Sequence, residues 1–201
     1  TNICRDPQKI LAISFKKDAA DNLKKRVIKR CGKEIETRFV SMTYDAFSKS
    51  ILDHFRFALP EVLRPDAAYL VNDVDTIDAA FKKAGYNNPL NLPVYKLRTY
   101  YERVLDSVEL PFTRNDLGET VWKLLLKGFD NYKPTLSFKM ICILAEFIIK
   151  TNYKIKRGLH LTYKYVFLDE FQDTTYLQYK LVKQCFLNSG SIMTAVGDNK
   201  Q

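Results

Sequence analysis

In Tyr165-Val166-Phe167-Leu168-Asp169-Glu170-Phe171-Gln172-Asp173-Thr174, an apolar run leads straight into acids and amides. An apolar run without alternation reads as a strand buried on both faces, the mark of a parallel sheet covered by helices. Carboxylates at its end put charge on the carboxyl edge of the sheet, where open α/β folds bind ligands. Neighbours on a strand point to opposite sides, so Asp169 and Glu170 are expected to do two different jobs. Asp169 is assigned toward a Mg²⁺ and Glu170 toward the proton of an attacking water, a pairing that fits metal-assisted phosphoryl transfer. The competing reading is a turn whose acids cap the next helix, with Asp173 or Thr174 as N-cap. Gln172 and Asp173 weigh against it, because a cap needs one polar side chain and Asp169 to Asp173 holds four in five positions.

Three more short apolar runs have the same character: Ile10 to Phe15, Phe39 to Met42 with Ser41 inside, and Ile192 to Val196. Helical spacing follows three of the four runs. Ala20, Leu23, Val27 and Cys31 come after the first, with Asp18 as N-cap; Phe47, Ile51 and Phe55 come after the second; Leu177, Leu181 and Cys185 follow the acidic stretch. Strand then helix, repeated, predicts an α/β doubly wound core. Between residues 57 and 134 the strand signal gives way to helical stripes: Val74, Ile77 and Phe81; Leu97, Tyr101, Leu105 and Val108; Leu117, Val121, Leu124 and Leu125. Prolines at 60, 65, 89, 93, 111 and 134 punctuate them. The expected organisation is a core of residues 1–56 and 135–201 carrying an all-helical insertion over 57–134.

The other strand exits add candidate groups to the same edge. Gly197-Asp198 after the last run is a tight exit from the sheet. Ser14-Phe15-Lys16-Lys17 and Ser41-Met42-Thr43-Tyr44 each offer a hydroxyl and a ring, and the first adds two cations. Phosphate contacts beside a stacking ring are what a single-stranded nucleic acid requires. The plainer account makes Phe15 and Tyr44 core residues and the lysines a solvated face. Lys24, Lys25, Arg26, Lys29 and Arg30 extend the positive charge. His54 and His160 have no catalytic company and read as structural or surface residues. A phosphate-binding loop of the form Gly-x-x-x-x-Gly-Lys-Ser/Thr is absent: the sole Gly-Lys, Gly32-Lys33, is followed by Glu34 and has Val27 at the first glycine position.

Composition narrows the class. The 201 residues are 46% hydrophobic and 13% aromatic, which excludes a disordered chain, and seven Gly and seven Pro exclude collagen-like sequence. Met140 to Ile149, interrupted by Glu146, falls short of the ~20 apolar residues of a membrane span. Cysteines at 4, 31, 142 and 185 lack metal-ligand spacing and fit a reducing compartment; with no leader-like N-terminus, the expectation is cytoplasmic. A net charge of +9 points to an acidic partner, nucleic acid first.

Several motifs occur together and in order: Leu11-Ala12-Ile13-Ser14-Phe15 with Ala19-Ala20, Thr43-Tyr44-Asp45-Ala46-Phe47, Asp169-Glu170-Phe171-Gln172-Asp173-Thr174 with Gln178, and Val196-Gly197-Asp198 with Gln201. This order resembles the UvrD/Rep/PcrA group of superfamily 1 DNA helicases from about residue 9 onward, with the helical insertion in the place of their 1B subdomain. The resemblance implies a RecA-like 1A core and use of ATP with Mg²⁺. It implies Asp169 as the metal residue, Glu170 as activator of the hydrolytic water, and Gln172 and Gln201 near the γ-phosphate. Asp173, Gly197 and Asp198 are implied as coupling positions. Phe15, Lys16 and Lys17, then Thr43 and Tyr44, match the two motifs that contact single-stranded DNA. Ser137-Phe138-Lys139-Met140 looks like the segment leading back from the insertion.

The departures also carry information. Ser14-Phe15-Lys16-Lys17-Asp18-Ala19-Ala20 stands where the family usually has Thr-Phe-Thr-Asn-Lys-Ala-Ala, and Asp45 stands where a His usually follows the aromatic residue. A carboxylate at 45 could cap a helix but would repel a nearby phosphate. The resemblance also implies a phosphate-binding loop upstream of Thr1 and a second motor domain of the same parent chain beyond Gln201, so these 201 residues are expected to be inactive by themselves. The leading expectation is a part of a 3′–5′ DNA helicase or translocase that, complete, meets a duplex junction. The alternatives are a non-catalytic nucleic-acid-binding module that keeps the fold without the phosphate loop, and a helicase–nuclease subunit.

Overall fold

The computed structural model describes residues 6–66 and 68–198. The chain divides into two compact units, one formed by Thr1–Leu52 with Ala145–Gln201 and the other by Asp53–Leu144.

The first unit is built on a four-stranded parallel sheet. Strand β1 (Lys9–Ser14) leads through α1 (Lys17–Cys31) to β2 (Phe39–Thr43), and α2 (Tyr44–Phe55) follows directly. The order across the sheet is β2-β1-β5-β6, where β5 is Tyr163–Leu168 and β6 is Ile192–Ala195. Register is continuous at the carboxyl edge, Ser14 opposite Thr43, Ile13 opposite Leu168 and Leu168 opposite Ala195. The β1-to-β2 connection and the β5-to-β6 connection run in opposite directions across the sheet. Right-handed crossovers therefore put α1 and α8 (Tyr176–Phe186) on opposite faces, the α/β arrangement expected from the sequence.

Burial differs from strand to strand. Central β1 is buried from Leu11 to Ser14, whereas β5 buries Val166 and Leu168 but exposes Phe167. Edge strand β6 is exposed at all four residues. An unbroken apolar run thus marks a strand buried on both faces for β1 but not for β5 or β6. On the face of α8, Phe47 of α2 stacks on Phe186 with ring centroids 6.0 Å apart. Helix α7 (Tyr153–Thr162) is held to α8 through His160, whose Nε2 lies 2.6 Å from the Cys185 carbonyl oxygen. The helix cap expected at Asp18 is not used. Lys16 is the N-cap of α1, without a side-chain bond, and Asp18 lies in the first turn, where its charge suits the positive end of the helix.

The second unit contains α3 (Val74–Lys83), α4 (Val94–Asp106) and α5 (Leu117–Lys127), and the boundary between the units falls inside α6 (Phe138–Thr151). Phe81 stacks on Tyr101 at 3.9 Å, and fully buried Trp122 donates from its indole N–H to the Leu105 carbonyl oxygen at 3.0 Å. The unit is not all helical, which corrects the expectation for residues 57–134. Strand β3 (Leu70–Val71) pairs in parallel with β4 (Thr135–Leu136). Two-residue strands leave no periodicity to read. Their pairing ties residues 135–136 to the inserted segment rather than to the main sheet, and the compact unit runs from 53 to 144 where 57 to 134 was expected.

Charge is divided unequally. The α/β unit holds 20 Lys and Arg against 11 Asp and Glu, a surplus of nine; the other unit holds 12 of each. The whole net charge of +9 therefore resides on the α/β unit. Cys31 is an exposed thiol, Cys142 and Cys185 are buried, and among the described residues no helix is long and apolar enough to cross a membrane.

Candidate nucleotide and nucleic-acid site

The acidic stretch begins where β5 ends. The Asp169 amide still donates to the Ile13 carbonyl oxygen, at 2.8 Å, so the ladder with β1 continues one residue beyond the strand. The Asp169 carboxylate is half-buried, and its Oδ2 lies 3.4 Å from the hydroxyl of fully buried Ser14. Glu170 then takes a left-handed conformation, φ 50° and ψ 47°, and the chain enters a 3₁₀ turn over Phe171–Asp173. Strand alternation does not govern Asp169 and Glu170 as expected. They lie past the strand, and the left-handed residue turns the chain between them.

Both neighbouring exits pin this turn. The Phe171 amide donates to the Val196 carbonyl oxygen at 3.0 Å, and the Val196 amide to that of Leu168 at 2.8 Å. Gln172 joins the turn to the β6 exit. Its Nε2 donates to Glu170 Oε2 at 2.6 Å, while its Oε1 accepts from the Asp198 amide at 3.0 Å. Gly197 makes room for that contact. A Cβ at 197 would lie 2.5 Å from Gln172 Oε1 and 3.2 and 3.3 Å from the Gln172 and Phe171 backbone nitrogens. Asp173 is exposed on the turn, and Gln201 lies outside the described residues.

The reading of Asp173 or Thr174 as helix cap is replaced by one position further on. Thr175 caps α8 in a reciprocal box with Gln178: the Gln178 amide donates to Thr175 Oγ1, and Gln178 Oε1 accepts from the Thr175 amide.

At the exit of β1, Phe15 is 42% exposed beside exposed Lys16 and Lys17, an aromatic ring next to two cations. The exit of β2 differs. Thr43 Oγ1 accepts from the Ala46 amide at 3.1 Å and so caps α2. Tyr44 is only 2% exposed, and its hydroxyl oxygen accepts from Thr174 Oγ1 at 3.0 Å. Burial, with a smaller contribution from the Asp169 charge, raises the Tyr44 pKa against the opposing effect of the Thr174 bond. The ring expected to stack on a base at position 44 is a core residue, because Tyr44 starts α2 on the sheet side. Asp45 Oδ1 accepts from Gln178 Nε2 at 3.2 Å.

Ser14 was expected only as a hydroxyl at the β1 exit, without its Asp169 contact, and Thr174 and Gln178 only as a candidate cap and a member of the acidic motif, without their α2 partners. A serine ending a buried strand is a signal for the first. The partners of the other two lie 130 and 133 residues away and leave no local trace.

The model of the UvrD/REP helicase N-terminal domain matches residues 3–201. The chain belongs to this family. It is 26% identical to the "Probable DNA helicase II homolog" of Mycoplasma capricolum subsp. capricolum, with 98% of this chain and 28% of that protein covered. It is 24% identical to the "ATP-dependent DNA helicase Rep" of Buchnera aphidicola subsp. Acyrthosiphon pisum, covering all of this chain and 32% of that protein. A "Probable DNA helicase" of Mycoplasma pneumoniae is 25% identical, over 98% of the chain and 39% of its own length. The chain spans about a third of the length of these relatives. Within a UvrD/REP helicase N-terminal domain, the acidic turn and the Phe15-Lys16-Lys17 exit lie on one carboxyl edge of one sheet.

Proposed function

We propose that the chain is the first motor domain, with its helical insertion, of an ATP-dependent DNA helicase or translocase that couples hydrolysis to 3′–5′ movement on single-stranded DNA. The observation that carries this reading is the turn 169–174, bracketed by the exits of β1 and β6, with Glu170 in a left-handed conformation next to Asp169. Asp169, beside the Ser14 hydroxyl, offers hard oxygen donors of the type Mg²⁺ takes together with phosphate oxygens and water. Bound there, Mg²⁺ supplies positive charge against the phosphates of ATP. Glu170 accepts the proton of the water that attacks the γ-phosphate. Gln172 fixes the Glu170 carboxylate through its amide and ties it to the Gly197-Asp198 exit, and Asp173, Gly197 and Asp198 relay its position. Gln201 completes the γ-phosphate side.

Single-stranded DNA lies along the exits of β1 and β2. Phe15 stacks on a base while Lys16 and Lys17 neutralise phosphates. Thr43 and Tyr44 shape the second exit from within, as cap and core. The rest of the parent chain supplies the phosphate-binding loop and the second motor domain, and the complete protein acts in the cytoplasm where a single strand meets a duplex.

The test is the ATPase rate of the full-length parent with and without single-stranded DNA. Turnover stimulated by DNA and abolished by Glu170→Gln, with nucleotide binding retained, is the expected result. A folded parent that binds DNA but never turns over ATP would overturn this function in favour of a non-catalytic binding module.

A further inference from the structure

Helix α2 begins at the exit of β2, and its first two residues are tied to the acidic turn and to α8, the helix that follows it. Tyr44 accepts from Thr174, and Asp45 accepts from Gln178. Thr174 is the residue at which the 3₁₀ turn ends, its amide bound to the Phe171 carbonyl oxygen at 3.1 Å. Gln178 has no slack. Its oxygen accepts from the Thr175 amide and its nitrogen donates to Asp45, so the amide group is held at both ends. Tyr44 is buried, and a shift of Thr174 would leave its hydroxyl without water to replace the bond.

From these contacts we infer that Asp45 and Gln178 are positioning residues that transmit the state of the nucleotide edge to the β2 exit, an inference that rests on the function proposed above. A displacement of the Glu170–Asp173 turn moves Thr174 and the start of α8, and two side-chain bonds carry the displacement to the start of α2. The Thr43 hydroxyl, bound to the Ala46 amide, moves with that helix. The contact also gives Asp45 a role as acceptor for Gln178. Its negative charge is directed to α8, and the phosphate repulsion that its position beside a DNA exit would cause is thereby reduced.

The test uses the full-length protein and reads ATP turnover with and without single-stranded DNA. Gln178→Glu keeps an oxygen for the Thr175 amide, so the capping box survives, but it removes the donor and sets two carboxylates against each other. Asp45→Asn combined with Gln178→Glu restores the bond with donor and acceptor exchanged. The expected result is that Gln178→Glu lowers the stimulation factor at least about fivefold. Turnover without DNA, KM for ATP and Tm should change little, and the double variant should recover the stimulation. Wild-type stimulation in Gln178→Glu would overturn the inference and leave the proposed function standing. Equal loss of basal and stimulated turnover, or no recovery in the double variant, would reduce the contact to a structural one and overturn it as well. Absence of DNA-stimulated turnover in the wild type would overturn the proposed function, and the inference with it.

Discussion

Glu170 holds a backbone conformation that glycine would hold at less cost. A residue with a Cβ loses roughly 1–2 kcal/mol in the left-handed region, and Glu170 sits there at φ 50°. Glu170→Gly should therefore raise stability by about 1 kcal/mol, a Tm increase of about 2–4 °C, while hydrolysis disappears. Glu170→Gln keeps the strain and should leave Tm unchanged. A thermal melt of the two variants, run beside the ATPase assay, checks both statements; equal Tm values would remove the argument from strain. Gly197→Ala tests the neighbouring contact. The nearest obstacle to its Cβ is the movable end of Gln172, so the fold should lose no more than about 1 kcal/mol. Turnover should fall further than stability, because Gln172 leaves Glu170. The identities of Asp169, Glu170 and Gln172 were legible in the sequence. The left-handed backbone at Glu170 was not, since a glutamate does not signal it; burial of Tyr44 was the plainer of the two readings of its exit, but its Thr174 partner, 130 residues away, left no trace.

Among the elements, α5 carries the clearest titration. Glu119 is 3% exposed, and its carboxylate accepts from the Thr113, Arg114 and Asn115 amides at 2.6, 2.7 and 2.8 Å. Burial pushes its pKa up, but the three amides, aided by Lys123, outweigh burial and hold it below the usual glutamate value. A lowered folded-state pKa gives stability that is present above the ordinary glutamate value and is lost as pH falls through the folded one. Melting temperature should drop on acidification in wild type, and Glu119→Gln should flatten part of that dependence while lowering Tm at neutral pH. Strand and helix order on the α/β unit followed from apolar runs and helical spacing. The strands Leu70–Val71 and Thr135–Leu136 did not, because pairing between residues 65 positions apart is what makes them strands. Full exposure of β6 was equally hidden: Ile192 to Val196 reads the same whether a strand is central or at an edge.

For the whole molecule, the surplus of positive charge on the α/β unit predicts how DNA binding responds to salt. Each phosphate neutralised on a single strand contributes a slope of about 0.7 in the logarithm of affinity against the logarithm of salt. Replacing Lys16 and Lys17 by Ala should flatten the measured slope. Phe15→Ala should lower affinity by about 1–3 kcal/mol at every salt concentration and leave the slope alone. Fluorescence anisotropy titrations with a labelled oligonucleotide distinguish the two; a slope changed by Phe15→Ala would contradict the stacking role. The division of charge also acts before any contact forms. With nine surplus charges on one unit and no net charge on the other, the long-range attraction felt by a polyanion is that of the α/β unit. A polyanion is therefore drawn to the α/β unit within a Debye length, about 10 Å at 0.1 M salt. The association rate with a single strand should accordingly fall as salt rises, and that dependence belongs to the α/β unit, because the other unit carries no net charge.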